Sequence, residues 1–404
     1  MLKQWYKKFS AQPHQPFFAN GLIFFMLFML LLFASYSNVI VLKTTLLTFH
    51  AYALIFVVFI QFFLGFLFVV FPRFLMQATI SSSVFMTQFF LYFIGTVCFF
   101  VGLVISTPLY LVAMAVLFVA QILSFNTLFG IYKKSIIADG TSKYDTKWIL
   151  IGFATGIVAH FIFLVAQLNV NHAYLLEKFA VYVGFYLFLF MIIFTVSQRM
   201  IPFFTSMKVP EYTINKSSHL LEKLYGLLLL KVLVQSFAQP QWYIVADLPL
   251  FLFFTFELYK WKLPLFKTTS IMWVLFLGLY WIPVGFLLSS IESLCALFQV
   301  DFFFGKASLH VFALGYFVTV LLGFGTRVVL GHSGRVPYAD KITTMIFLYI
   351  QLVVVVRVFA SLSLNVHADY IFWINHTALL LILGLFVWSV KFLPILMIGH
   401  NPNH

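Results

Sequence analysis

The sequence predicts an all-α membrane protein: a polytopic bundle of about 12 transmembrane helices with both termini in the cytoplasm. Three observations support this fold class. Hydrophobic residues make up 63% of the 404 residues and charged residues only 9%, whereas soluble proteins average about 45–50% and about 25%. The apolar residues form long unbroken runs. The Lys and Arg residues fall mostly on one side of the resulting topology, as in membrane proteins.

This composition excludes a soluble enzyme, a disordered chain, a DNA-binding domain and a secreted disulfide scaffold. In lipid, only helices and closed barrels satisfy their backbone hydrogen bonds. A barrel would require alternating segments of about 10 residues, which the chain lacks. Cys98 and Cys295 both lie inside apolar runs, so the sequence indicates no disulfide framework.

Twelve apolar segments are long enough to cross a hydrocarbon core about 30 Å thick. We interpret residues 1–404 as a single transmembrane domain, with a cytoplasmic segment at 1–16 and a cytoplasmic tail at 393–404. No cleavage site follows the first apolar run, so we expect that run to be a span rather than a signal peptide. The predicted spans are 17–37, 46–72, 84–106, 109–132, 147–168, 174–201, 217–238, 242–261, 270–291, 303–330, 340–363 and 369–392.

The positive charges predict the orientation. The chain has 24 Lys and Arg residues against 11 acidic residues, a net charge of +13. In a soluble domain this excess would suggest nucleic acid, but here it marks topology and predicts no nucleic-acid partner. With cytoplasmic termini, nineteen basic residues lie inside and three lie outside, namely Lys43, Lys178 and Lys306, while Lys231 and Arg357 lie within spans.

Ionisable side chains cluster in the predicted outer half of the membrane. Such groups are costly at this depth and usually functional. Each histidine has an alternative interpretation as an interhelical hydrogen-bonding residue. At least two of them are expected to converge on a metal or haem site, because imidazole suits iron and copper and is a common axial haem ligand. The four histidines, each from a different span, are His50, His160, His310 and His376.

Two cations share that depth, and two interpretations stay open for them. Lys231 and Arg357 could pair with Asp247 or Glu292 inside the bundle. Alternatively, they could hold haem propionates, since Arg binds carboxylates through two parallel hydrogen bonds. We therefore include both among the expected cofactor-binding residues.

The segment from His310 to Pro337 has an unusual composition. Gly315, Thr319 and Gly323 recur every four residues and predict a close helix contact. His310 and His332 are roughly 22 residues apart, or about 33 Å along a helix, so they cannot bind one metal.

Pro202 is expected to break the sixth span. The cations and the histidine near the inner interface are expected to form a structural motif, and they are Arg199, Arg327, His332 and Arg335.

These segments resemble the NnrS family, multi-span membrane proteins that contain haem and copper and are linked to nitric oxide stress. The resemblance is carried by HVFALGYFVTVLLGFGTRVVLGHSGR at 310–335, by FHAYALIFVVFIQFFLGFLFVVFPRF at 49–74, by QRMIPFFT at 198–205 and by GLYWIPVG at 278–285. Three positions depart from the family's pattern, because Tyr52, Ala53 and Phe276 stand where the family commonly has His, Glu and His. The resemblance covers most of the chain.

The resemblance implies a bacterial inner-membrane protein with haem b and copper, acting on nitric oxide or another small gas. It supports metal ligation by His50, His160 and His310 and the motif at Arg199, Arg327, His332 and Arg335, but it does not extend to His376 or Arg357. We further expect His50 and His310 to be ligands of a shared outer-half site.

The leading functional hypothesis is a haem protein, with or without copper, that binds or reduces nitric oxide and contributes to nitrosative-stress tolerance. As an enzyme it would be a nitric oxide-metabolising oxidoreductase, for which the sequence singles out no catalytic residue and no electron donor. A secondary transporter of a small molecule or metal is the first alternative, since twelve spans with both termini inside is a common transporter layout. A non-catalytic haem or metal sensor is the second.

Overall fold

The computed structural model describes residues 2–136, 141–168 and 170–399, and it contains helices and no strand within those ranges. The predicted tail at 393–404 extends past the last described residue. Short 3₁₀ turns occur at Pro240–Trp242, Leu265–Lys267 and Ser363–Val366. The helices are α1 (Leu2–Phe9), α2 (His14–Tyr36), α3 (Leu46–Phe74), α4 (Ser82–Ile105), α5 (Thr107–Lys134), α6 (Thr141–Ala166), α7 (Ala173–Lys208), α8 (Leu220–Phe237), α9 (Ile244–Trp261), α10 (Ser270–Leu297), α11 (Ala307–His332), α12 (Lys341–Leu362) and α13 (Tyr370–Ile398).

Among the described residues, 11 helices are long and apolar enough to cross a membrane. They are α2 to α7 and α9 to α13, which confirms the predicted all-α membrane bundle and is consistent with about twelve spans. The remaining predicted span is α8. It has 18 residues, the same length as α9, and three of them are charged, namely Glu222, Lys223 and Lys231.

Hydrogen bonds at both ends of α8 show that it runs antiparallel to α9 along its length. Near the start of α8, the backbone N–H of Ser217 donates to Oε1 of Glu257 at 2.9 Å. Near its end, Nζ of Lys231 donates to Oδ2 of Asp247 at 2.7 Å. A helix of 18 residues extends about 27 Å, so α8 is as long as its neighbour and is the candidate for the twelfth span.

The two ends of the chain meet. The amide Nε2 of Gln15 donates to the carbonyl oxygen of Leu396 at 3.2 Å. Gly399 approaches the backbone so closely that a Cβ atom there would lie 2.6 Å from the carbonyl oxygen of Lys8. The described N-terminal and C-terminal segments therefore lie on one side of the first unit, as the predicted even number of spans requires.

The chain forms two compact units. The first comprises Met1–Ile193, Val328–Val336 and Leu385–His404, and the second comprises Phe194–Arg327 and Pro337–Gly384. Three of the boundaries between these ranges fall within the helices α7, α11 and α13. Because both units contain membrane-crossing helices, the single transmembrane domain over 1–404 stays a prediction.

In the first unit, α2 packs closely on α3. A Cβ atom on Gly65 would lie 2.7 Å from the ring of Phe18, so the two helices approach through this glycine. A polar pair lies in the same interface, where Nδ2 of Asn20 donates to Oε1 of Gln61 at 2.5 Å. Such pairs stabilise an apolar bundle because lipid offers no water to unpaired polar groups.

In the second unit, the small-residue stripe of α11 packs against α10, as the sequence predicted. A Cβ atom on Gly315 would lie 2.6 Å from the ring of Trp281, and one on Gly323 would lie 2.6 Å from Leu275. The hydroxyl of Thr319, the middle member of the stripe, accepts a hydrogen bond from Nε2 of Gln351 at 3.1 Å. The stripe thus makes both close apolar contacts and a polar one.

Pro202 does not end the sixth span, contrary to our expectation. It lies inside α7, which continues to Lys208. Proline has no N–H group, so the carbonyl of Gln198 loses its helical donor. The Nζ atom of Lys216 replaces that donor, since it lies 3.1 Å from the carbonyl oxygen of Gln198 and 2.7 Å from its side-chain Oε1.

Three helices contain a π-helical segment, a feature that is frequent at functional sites. The segments are Ala53–Val58 in α3, Val183–Phe190 in α7 and Val311–Val318 in α11. All three helices begin on the predicted outer side. His50 precedes the first segment by three residues, and His310 directly precedes the third.

Candidate functional site

His310 is held in one tautomer by the backbone of its own helix. Its Nδ1 lies 2.9 Å from the carbonyl oxygen of Lys306. A carbonyl can only accept, so Nδ1 carries the proton and Nε2 carries the lone pair. Arg357 donates to that Nε2 through Nη2 at 3.0 Å. The ring nitrogen of His310 that could bind a metal therefore faces the guanidinium group of Arg357.

Arg357 is buried, with 9% of its surface exposed. Its Nη1 also donates to Oγ of Ser361 one turn later in α12, at 2.6 Å. The sequence predicted His310 and Arg357 as separate cofactor-binding residues, and the structure brings them into direct contact. Nothing in the sequence indicates this pairing, because 47 positions separate the two residues.

Lys231 is also buried, and it pairs with an acid. Its Nζ lies 2.5 Å from Oδ1 and 2.7 Å from Oδ2 of Asp247, and 3.0 Å from Oγ of Ser289. Ser289 in turn donates to Oδ2 of Asp247 at 2.7 Å. This is the ion pairing that the sequence analysis gave as one of two interpretations. Asp247 already supplies the carboxylate that a propionate would otherwise provide.

His160 lies in the first unit and is fully buried. Its Nδ1 is 2.6 Å from Oε1 of Gln121, and its Nε2 is 2.8 Å from the hydroxyl of Tyr52. The ring also stacks on Phe56, with centroids 4.5 Å apart. Both ring nitrogens are engaged in hydrogen bonds, so His160 links α3, α5 and α6 in this structure.

The other two predicted histidines differ in burial. His50 is half-buried near the start of α3, in the first unit. His376 is exposed in the second unit, where its Nδ1 donates to the carbonyl oxygen of Phe372 at 2.7 Å. In the part of the chain that the structure describes, no three or more His, Cys, Asp or Glu side chains form a group that could hold a metal ion.

Near the predicted inner side of the second unit, Arg327 lies over the ring of Phe204 at 3.7 Å, a cation–π contact. The hydroxyl of Tyr316 donates to Oγ of Ser197 at 3.3 Å and links α11 to α7. Arg199 is half-buried in the same part of α7. Arg199 and Arg327, two of the three arginines of the predicted motif, thus belong to one unit, whereas Arg335 belongs to the other.

The turn after α11 is closed by backbone atoms. The N–H groups of Ser333 and Arg335 both donate to the carbonyl oxygen of Leu330, at 3.2 and 3.0 Å. Gly334 adopts a φ of +76°, which favours glycine. Arg335 itself is exposed. The ring of His332 lies 5.0 Å from the ring of His14, centroid to centroid.

His14 is the residue that the sequence analysis missed. We had placed it in the cytoplasmic segment 1–16, whereas it is the first residue of α2 and is buried. The signal that could have identified it is the absence of any charge between Lys8 and the first apolar run. That absence allows the helix to begin before residue 17.

Comparison with known proteins gives one family. The NnrS family model, described as NnrS protein, matches residues 8–398. No curated protein matches the chain. The match covers nearly the whole of the 404 residues. The three π-helical segments, His310 and Arg357 all lie within the matched residues. The chain therefore belongs to the NnrS family.

Proposed function

We propose that the protein binds haem in the outer half of its second unit and uses it to bind or reduce nitric oxide, contributing to nitrosative-stress tolerance in a bacterial inner membrane. Membership of the NnrS family over residues 8–398 supports this proposal. The observation that carries it is the tautomer of His310, whose Nδ1 is bound to the carbonyl oxygen of Lys306.

The residues around His310 suit haem. Histidine ligands of metals usually donate their second ring nitrogen to a carbonyl or carboxylate, which orients the ring and raises its basicity. His310 has this arrangement, and its Nε2, which accepts a hydrogen bond from Arg357 in this structure, would be the ligand. Arg357, in contact with Nε2 at 3.0 Å, would hold a haem propionate, since guanidinium pairs well with carboxylates. Bound haem would supply an iron with a position for a small gas.

Three predicted cofactor residues are left out of this proposal on structural grounds. His160 has both ring nitrogens in hydrogen bonds, as His310 does, but its partners are Gln121 and Tyr52 rather than a cation that could hold a propionate. Lys231 is neutralised by Asp247. His376 is exposed, and among the described residues it belongs to no group of three or more potential metal ligands. His50 lies in the first unit, just ahead of a π-helical segment in α3, so it is retained as a candidate metal ligand of that unit and not as a ligand of this haem.

Reduction of nitric oxide consumes protons and electrons, so it asks more of the chain than binding does. Nitric oxide itself is small and apolar and dissolves in lipid, which suits a bundle walled by Phe, Leu and Val. Buried carboxylates are the usual proton carriers inside membranes. In the second unit, Asp247 and Glu257 are buried and Glu292 is half-buried. Gas binding is therefore the minimum activity, and reduction needs an external electron donor.

The first test is an absorption spectrum of the purified protein, oxidised and reduced, with haem measured per polypeptide. We expect a haem band that His310→Ala removes. Arg357→Leu should weaken haem affinity about 10–100-fold, as changes beside a metal ligand typically do. The matched control is His376→Ala, which alters an exposed histidine and should leave haem content unchanged. A colourless wild-type protein, or full haem in His310→Ala, contradicts the proposal.

One observation favours the transporter alternative: the fully buried pair of Lys231 and Asp247. Charged pairs inside membranes often mark ion and substrate pathways. A transporter would be colourless and would accumulate its substrate in vesicles in a manner that depends on Lys231. The same absorption spectrum separates this function from the proposed one.

A further inference from the structure

A buried cation and a buried carboxylate meet in the predicted outer half of the second unit. Lys231 of α8 and Asp247 of α9 are each 0% exposed. Nζ of Lys231 lies 2.5 Å from Oδ1 and 2.7 Å from Oδ2 of Asp247, and 3.0 Å from Oγ of Ser289 on α10. Three oxygen atoms from two helices therefore surround a single positive charge.

Further polar groups continue from this pair toward the outer ends of the three helices. Gln235 lies one turn after Lys231 on the same face of α8, and its Oε1 is buried without a hydrogen-bond partner among the described residues. The hydroxyl of Ser293 donates to the carbonyl oxygen of Pro240 at 2.6 Å and accepts from the N–H of Ile244 at 2.9 Å. Buried acceptors are nearly always paired in native proteins, so the free Oε1 of Gln235 points to a donor or a cation that binds there.

The charges around the pair restrict what can bind. Glu292 of α10 is half-buried, and Lys306 directly precedes α11. The charges of both act on Lys231, and Nζ of Lys231 also lies 5.7 Å from the ring centre of Tyr243. Together with Asp247, these two cations and two carboxylates carry no net charge. Exchange of one monovalent cation for another keeps that balance, whereas a divalent ion would leave a buried charge uncompensated.

We propose that this pair exchanges the proton of Lys231 for a monovalent alkali cation, which then binds Asp247 in place of the ammonium group. Lysine can lose its proton inside a protein, whereas arginine keeps its charge. Hard cations prefer carboxylate, hydroxyl and amide oxygens, which Asp247, Ser289 and Gln235 supply. In the exchange one cation enters, one proton leaves and the ammonium becomes a neutral amine, so the net charge of the site is unchanged.

This exchange goes beyond the proposed function. The site is formed by α8, α9 and α10, whereas the proposed haem site is formed by His310 of α11 and Arg357 of α12. Exchange of a proton for a cation requires neither haem nor nitric oxide, so it can be measured on protein with or without a haem band. Failure of the exchange and failure of haem binding are therefore distinguishable.

The experiment adds NaCl to the full-length protein in detergent and weak buffer, and a pH-sensitive dye reports the protons released. Choline chloride at the same concentration controls for ionic strength. We expect Na⁺, but not choline, to release one proton per polypeptide while Lys231 is protonated. The half-saturating Na⁺ concentration should fall about tenfold for each unit rise in pH, because proton and cation binding oppose each other reciprocally.

Two variants separate the roles of the partners. Lys231→Gln keeps the carboxylate of Asp247 but has no proton to exchange, so Na⁺ should raise its melting temperature without releasing a proton. Asp247→Asn removes the charged oxygen and should abolish both effects. Lys223→Gln is the matched control, since it changes an exposed lysine of the same helix and should leave the proton release as in the wild type.

The measurement on the wild-type protein does not depend on the variants folding. The proposal is overturned if neither Na⁺ nor K⁺ releases more protons from the wild type than choline does. It is also overturned if Lys231→Gln or Asp247→Asn releases as many protons as the wild type. In each of these cases the buried pair only holds α8 against α9.

Discussion

The hydroxyl of Tyr52 lies 2.8 Å from Nε2 of His160, which makes Tyr52 the donor in a fully buried pair. The direction follows from the other side of the ring, where Nδ1 faces Oε1 of Gln121 at 2.6 Å and must carry the proton. In the sequence, Tyr52 stands where the family commonly has a second histidine. The structure shows that this tyrosine occupies the lone pair of His160, which a metal would otherwise use.

Replacing Tyr52 tests that pair. Tyr52→Phe leaves Nε2 of His160 buried and unpaired, which should lower the free energy of unfolding by about 1–3 kcal/mol. The measurement is the thermal melting of the purified protein in detergent. Tyr174→Phe is the control, because Tyr174 is 76% exposed and its loss should have little effect. Equal melting temperatures for Tyr52→Phe and the wild type would show that the hydrogen bond contributes nothing.

The buried ion pair gives a second prediction. Lys231→Met leaves the carboxylate of Asp247 buried without its cation, and breaking a buried pair in this way costs about 3–5 kcal/mol. We expect low yield and a lower melting temperature. The double variant Lys231→Met/Asp247→Asn removes both charges and should recover much of the loss. Lys223→Met changes an exposed lysine of the same helix and is the control. A single variant as stable as this control would contradict the prediction.

The third prediction concerns the proline inside α7. Lys216→Met removes the donor that serves the carbonyl of Gln198, so it should destabilise the protein by about 1–3 kcal/mol. In a Pro202→Ala background the restored N–H group can bond to that carbonyl, so the same change should cost less. A double-mutant cycle measured by melting should give a coupling of about 0.5–3 kcal/mol. Lys208→Met changes an exposed lysine at the end of α7 and is the control. If the effects of Lys216→Met and Pro202→Ala on stability are strictly additive, Lys216 does not replace the missing donor to Gln198.

The fourth prediction concerns α8, the one predicted span that is not among the 11 long apolar helices found in the described residues. Reporters placed in the connections before α8 (209–217) and after α9 (262–269) should report the cytoplasmic side, and one between the two helices (238–243) should report the outer side. A reporter at 364–369 should also report the outer side. If the connections before and after α8 report the same side, α8 does not cross the membrane and the total of twelve spans is wrong.

Much of the fold could be predicted from the sequence because the controlling quantities are local. The length of each apolar run determines whether a helix can span the membrane, and the charge bias of the short connections determines its orientation. The stripe of Gly315, Thr319 and Gly323 also indicated a tight helix contact, since small residues permit one wherever they face a neighbour. The family could be predicted from four sequence segments.

The residue pairs of the candidate sites depended on the tertiary structure. Lys231 had two potential acids in the sequence, Asp247 and Glu292, and the rotation of α8 against α9 and α10 selects the first. His310 meets Arg357 because α11 and α12 pack side by side at one depth. The carbonyl that Pro202 leaves without a helical donor bonds instead to a lysine fourteen positions after the proline.

The sequence alone therefore determined the class of the fold and the approximate number of spans. It also predicted the direction of each span and the types of residue available for chemistry at each depth. Only the tertiary structure decided which of those residues touch, including the contact of His14 with His332. The physical reason is that hydrophobic length and charge bias act on each helix separately. Side-chain contacts depend on the rotation and depth of several packed helices at once, and residues far apart in the chain set both.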